Sequence, residues 1–100
     1  MSEKIKSISA EEFKEKLGSG EFILVDVRAQ SEHDQIKIAE SIVVDVTSSD
    51  FLENLKKLDK SKKYLIYCAS GARSGHTLSI MEEEGFAEAY DLDGGIMNYE

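Results

Sequence analysis

Short apolar runs alternate along this chain with stretches whose apolar residues recur every three or four positions. That alternation predicts β-α units arranged around a parallel sheet. Lys4–Ser7 reads as a weak first strand. Ser9 and Glu12, three residues apart, make a capping box that opens a helix over Ala10–Leu17. Phe13 and Leu17 share one side of that helix, and Gly18 and Gly20 end it. The run FILVDV, Phe22–Val27, is apolar up to Asp26, as expected of a strand covered on both faces. Ser31–Gln35 predicts a short helix and Ser41–Val46 a further strand. Asp50 and Glu53 form a second capping box, with Phe51, Leu52, Leu55 and Leu58 as the buried stripe behind it.

Tyr64–Cys68 (YLIYC) is apolar throughout and predicts a central strand. Arg73–Glu84 reads as a helix that offers Thr77, Leu78, Ile80 and Met81 to the core, closed by Gly85 where a left-handed cap is favoured. Ala87–Leu92 predicts the last strand, after which Gly94 and Gly95 turn the chain into a short terminal segment. No repeat or linker divides the 100 residues, and proline is absent, so residues 1–100 are expected to form one α/β domain. A chain of this length buries about 60–70% of its unfolded surface, enough for a real core.

Charge and cysteine count narrow the partners. A net charge of −8 argues against a nucleic-acid partner, because that binding is driven by cations. A small anionic ligand remains compatible, since screening beyond about 8 Å leaves local donors in control of a pocket. One cysteine forms no disulfide within the chain and fits a reducing compartment. MSEKIKS at the start is too polar for a secretory signal, and no apolar stretch approaches the roughly 20 residues of a membrane span. A cytoplasmic monomer with no membrane partner is the expectation. His33, His76 and Cys68 lack ligand spacing, so neither metal nor cofactor is expected.

The lone cysteine carries the candidate chemistry. Cys68 closes the predicted central strand just before a helix, at the sheet edge where α/β folds bind ligands. Ala69, Ser70, Gly71 and Ala72 are small enough for their N–H groups to converge on one point, while Arg73 adds a cation and Ser74 a hydroxyl. An ordinary thiol near pKa 8.5 is only a few per cent ionised at about pH 7. Lowering that value by about two units takes about 2.7 kcal/mol. A helix N-terminus supplies about 0.3–2 kcal/mol. Each hydrogen bond to the charged sulfur adds about 1.5–3 kcal/mol. Together these suffice without a histidine base. The plain alternative is that Cys68 is a small buried core residue.

These residues resemble the rhodanese-like domain family over nearly the whole chain. The resemblance rests on a strand ending in Asp26, Val27 and Arg28, and on a C-x-x-G-x-R-S loop at Cys68, Gly71, Arg73 and Ser74. It extends to Met81 followed by Gly85, and to the closing Leu92, Gly94, Gly95, Ile96 and Tyr99. It implies a five-stranded parallel sheet with helices on both faces. It also implies sulfur transfer through a persulfide: Cys68 attacks the outer sulfur of a donor such as thiosulfate, releases sulfite, and passes the sulfur to a thiol, cyanide or a protein acceptor. Sulfite leaves without needing a proton, which suits the absence of Asp or Glu from the loop. Three departures bear on turnover. Ile36–Ser41 (IKIAES) stands where many members read G-H-I-P-G-A, Ala69 stands at an often basic position, and Tyr99 stands in place of tryptophan.

Two further readings remain. A phosphatase or arsenate reductase of the same fold has a loop one residue longer, giving a wider cradle for a tetrahedral oxyanion. A non-catalytic binding or sulfur-carrier module is compatible with the IKIAES departure. Among other residues, Asp26 and Arg28 read as a structural ion pair at a strand end in preference to substrate contacts. His76 reads as a helix-surface residue, His33 as solvent-exposed, and Glu82–Glu84 as the solvated end of a helix. Gly75 costs about 1 kcal/mol in a helix relative to alanine and suits a close neighbour there.

Overall fold

The computed structural model describes residues 3–99. In chain order it contains β1 (Ile5–Ile8), α1 (Ala10–Gly18), β2 (Ile23–Asp26), α2 (Gln30–Gln35) and β3 (Ile42–Val43). There follow α3 (Phe51–Lys56), β4 (Lys63–Tyr67), α4 (Ala72–Glu83), β5 (Glu88–Leu92) and a terminal 3-10 turn over Ile96–Asn98. All strand pairs are parallel, in the order β1-β5-β4-β2-β3, so β4 runs through the middle of the sheet.

Side-chain alternation along β4 sorts the core into two halves. Tyr64, Ile66 and Cys68 face one side with Ile5, Val25, Val27 and Ala89, under Phe51 and Leu55 of α3 and Leu78 and Met81 of α4. Leu65 and Tyr67 face the other with Ile8, Leu24, Tyr90 and Leu92, under Phe13 of α1 and the terminal Ile96 and Tyr99. Both faces of β4 are therefore covered, which is why its sequence is apolar from Tyr64 onward, after the exposed Lys63 that opens it.

Caps account for the start of α1 and the end of α4. Ser9 Oγ accepts from the Glu12 amide at 3.2 Å and opens α1. At the end of α4, Gly85 takes φ +88°, with Gly85 N donating to Glu82 O and Phe86 N to Met81 O, a Schellman closure.

Several details differ from the sequence reading. Asp50 does not cap α3: its own amide donates to Ser48 Oγ at 3.1 Å, and its side chain makes no cap hydrogen bond. Leu52 is 45% exposed, because a helix of six residues buries only the i, i+4 pair Phe51 and Leu55. The strand expected over Ser41–Val46 shortens to Ile42–Val43, an edge held only by β2 and continued by single bonds from Val44 N to Asp26 O and Val46 N to Val27 O. Among the described residues no helix is long and apolar enough to cross a membrane.

Candidate active site

Cys68 is the first residue beyond β4, and the chain turns there towards α4. Gly71 makes the turn possible. At φ +102° it swings its amide back to within 3.0 Å of Cys68 Sγ, and a Cβ there would stand 3.2 Å from Gly94 N. Ser74, in the first turn of α4, adds a second amide at 3.4 Å and places its Oγ 3.5 Å from the sulfur. The positive end of a 12-residue helix thus faces the thiol.

Burial acts to raise the Cys68 thiol. The Ser74 hydroxyl and the amides of Ser74, Gly71 and Ser70 outweigh it, and the net result lies below the ordinary thiol value. The side chain is fully buried at 0% exposure and belongs to the apolar core beneath α4, yet donors ring the sulfur. Both readings of this cysteine are therefore true of one atom.

The loop is fastened from behind by the terminal turn. Ile96 N donates to Cys68 O at 2.8 Å and Met97 N to Ala69 O at 3.2 Å. These bonds turn the carbonyls away from the sulfur and leave the amides facing it. Gly95, at φ +69° and ψ −168°, lets the two backbones touch: a Cβ at that position would lie 2.3 Å from Ala69 O. The closing Leu92, Gly94, Gly95 and Ile96 thus act as a buttress for the loop.

Not every predicted loop residue does what its position suggested. Ala69 contributes its carbonyl to the buttress, and Ala72 opens α4 with an exposed side chain; the close hydrogen bonds to the sulfur come from Gly71 and Ser74, with the Ser70 amide as a weaker donor. Arg73 does not aim its fork into the loop. Its two terminal nitrogens donate to Glu32 Oε1 and Oε2, each at 3.1 Å, and Glu32 also receives the Ala29 amide. Hydrogen bonds from Arg73 and from that amide hold the Glu32 carboxyl below its ordinary value.

Asp26 and Arg28 are brought together, on the sheet face opposite Cys68. Arg28 Nε donates to Asp26 Oδ1 at 2.9 Å and its NH2 to Oδ2 at 2.7 Å. The same NH2 reaches Ile36 O at 2.6 Å, and the guanidinium lies 5.3 Å from the Tyr67 ring centre. Burial pushes the Asp26 carboxyl up, but the bonds from Arg28 and His33 outweigh it and hold it low. The pair pins the IKIAES segment to the sheet, in agreement with a structural role. His33 corrects an expectation: it is 8% exposed, with Nδ1 3.0 Å from Asp26 Oδ2. His76 is exposed on α4.

Asp91 was missed. Parallel pairing sets Ser7 beside it, and alternation turns both towards α4, on the Cys68 face. Ser74 Oγ donates to Asp91 Oδ2 at 2.6 Å, Ser7 Oγ donates to Oδ1, and the carboxyl is 1% exposed. An acid therefore stands near the sulfur although none lies in the loop. Its one sequence signal is a charged residue between the apolar Tyr90 and Leu92 at the end of the last strand.

With this geometry in place, a model of the rhodanese-like domain matches residues 9–100. A putative sulfurtransferase of Bacillus subtilis, YtwF, is 35% identical over 100 residues, covering 96% of this chain and 91% of that protein. A tRNA uridine(34) hydroxylase of Cytophaga hutchinsonii is 33% identical over 97 residues, covering 94% of this chain and 31% of that protein, so the chain spans about a third of that relative. The crystal structure of a rhodanese-related protein from Thermoplasma volcanium superposes with a TM-score of 0.83 at 31% identity, covering 94% of this chain and 89% of that one.

Proposed function

The chain belongs to the rhodanese-like domain family, and we propose that it works there as a sulfurtransferase carrying sulfur as a persulfide on Cys68. The observation that carries this reading is a sulfur faced by the Gly71 and Ser74 amides at the start of a helix. Such donors favour the thiolate, the form that attacks sulfur. In the first step Cys68 Sγ bonds to the outer sulfur of a thiosulfate-type donor, the donor's sulfur–sulfur bond breaks, and sulfite leaves with the electron pair. In the second step an acceptor, whether a thiol, cyanide or a protein thiol, takes the outer sulfur and Cys68 leaves as the thiolate. The amides that stabilise the resting anion serve the persulfide anion by the same charge-assisted bonding.

Phosphoryl chemistry is less well supported. An oxyanion cradle would need the Arg73 fork, and that fork is occupied by Glu32. One observation favours a non-catalytic binding module as second reading: the sulfur is fully buried, so donor or acceptor must open the loop to reach it. The test is intact mass after incubation with thiosulfate. Gain of one sulfur, removed by cyanide and absent in Cys68→Ser, supports sulfur transfer. Absence of the adduct, together with partner capture that survives Cys68→Ala, supports the binding module. Faster turnover of an aryl phosphate than of thiosulfate would reverse the reading towards a phosphatase.

A further inference from the structure

From the chain of contacts Cys68 Sγ, Ser74 Oγ, Asp91 Oδ2, we infer that Asp91 is a positioning residue that takes up the Cys68 thiol proton through the Ser74 hydroxyl. The inference rests on Cys68 being the reacting group. Ser74 has one hydroxyl proton and three neighbours for it: Asp91 Oδ2 at 2.6 Å, Gly71 O at 3.3 Å and the sulfur at 3.5 Å. With the thiol protonated, S–H donates to Ser74 Oγ and the hydroxyl donates to Asp91, in the short range of a charge-assisted bond. An anionic sulfur, already facing the Gly71 and Ser74 amides, would meet the lone pairs of Ser74 Oγ at 3.5 Å unless the hydroxyl turns and donates to it. Asp91 Oδ2 then loses its donor inside the core, and the buried charge keeps only the Ser7 hydroxyl on Oδ1, which disfavours the ionised form.

A proton on Asp91 resolves that conflict. The thiol proton passes to Ser74 Oγ as the Ser74 proton passes to Asp91, so the sulfur becomes an anion and the carboxylate an acid with no change in total charge. In the loading step the thiol and thiosulfate give the persulfide anion and sulfite, and the released proton rests on Asp91. It returns along the same path when the sulfur is handed on. Ser7, which donates to Asp91 Oδ1, holds the carboxyl in line from β1. Arg73, in the same helical turn as Ser74, interacts with the Cys68 charge, and Glu32 binds Arg73.

Two groups sharing protons in this way titrate as a pair. The rate of Cys68 alkylation by iodoacetamide against pH reads that pairing, and needs no sulfur donor. In the wild-type protein the rate is expected to rise in two limbs, each about tenfold per pH unit, separated by a plateau in which thiolate and acid share one proton. Asp91→Asn and, independently, Ser74→Ala are expected to leave a single limb. A single limb in the wild type, or two limbs that persist in Asp91→Asn, would overturn the relay. The wild-type curve decides even where a variant fails to fold. A missing thiosulfate adduct with two alkylation limbs sinks sulfur transfer alone, whereas an adduct with one limb sinks the relay alone.

Discussion

Gly95→Ala is the sharpest perturbation of the loop, because it adds one methyl group at a distance from the sulfur. The new Cβ would stand 2.3 Å from Ala69 O, 2.4 Å from Ala69 C and 2.6 Å from Ser70 N, all backbone atoms with no rotamer to change. Ordinary contact begins near 3.4 Å, so the two segments must separate by about 1 Å. A φ of +69° with ψ −168° lies in a region reserved for glycine, at a cost of about 1–3 kcal/mol for any other residue. Separation also breaks the bonds from Ile96 N and Met97 N to the loop carbonyls, at about 0.5–1.5 kcal/mol each. The expected loss is about 2–6 kcal/mol, a large part of the roughly 5–15 kcal/mol that holds a domain together.

The sulfur should report the same movement. Displacing Gly71 by about 1 Å stretches its 3.0 Å bond to the limit for a sulfur acceptor and weakens it, so the thiol should rise towards its ordinary value. Urea unfolding measures the first effect and a pH titration of thiolate ultraviolet absorbance the second. Gly18→Ala is the control: it ends α1 with nothing within 4 Å of the added methyl, and should stabilise by about 0.4–1 kcal/mol. A Gly95→Ala protein within about 0.5 kcal/mol of wild type, a change typical of inert surface sites, and with an unchanged thiol would refute the buttress.

Asp26→Asn leaves Arg28 buried without its anion, and should cost about 3–5 kcal/mol near neutral pH by urea unfolding. The Asp26 carboxyl is held below its unfolded value of about 3.9, so its contribution is complete above that pH and is lost as pH falls through the folded value. The wild-type advantage should therefore shrink below about pH 4, and an advantage that persists there contradicts this assignment. Glu32→Gln weakens a pair whose side chains are 31% and 38% exposed, so unfolding should show a loss of no more than about 1 kcal/mol, falling with salt. A loss above about 2 kcal/mol would mean that the Arg73 contact holds the loop itself.

Periodicity made the fold legible where local and tertiary preferences agree. The continuous apolar runs of β2 and β4 announced a sheet covered on both sides, and Gly85 announced the Schellman closure of α4. The cysteine, the glycine turn and Ser74 were legible as a strand-to-helix loop because their chemistry is contiguous in the chain. What stayed hidden depends on pairing across the sheet. Asp91 reaches the site through the register of β5 with β4, which sets it beside Ile66, and Glu32 claims Arg73 across 41 positions of sequence. His33 read as exposed because its neighbours are polar, while its burial comes from a partner seven residues away on a different element. Asp50 failed as a cap because its backbone, at φ −96° and ψ 9°, leaves the extended conformation a cap needs, which the spacing does not reveal.

The central claim is that protein donors hold the Cys68 sulfur as an anion near neutral pH. With one cysteine in the chain, the difference in thiolate absorbance between wild type and Cys68→Ala reports that atom alone. The donors from Gly71, Ser74 and Ser70 predict a first rise in absorbance below the ordinary thiol midpoint of about 8.5. A first rise at or above that midpoint would show that burial governs the sulfur, and would contradict the account.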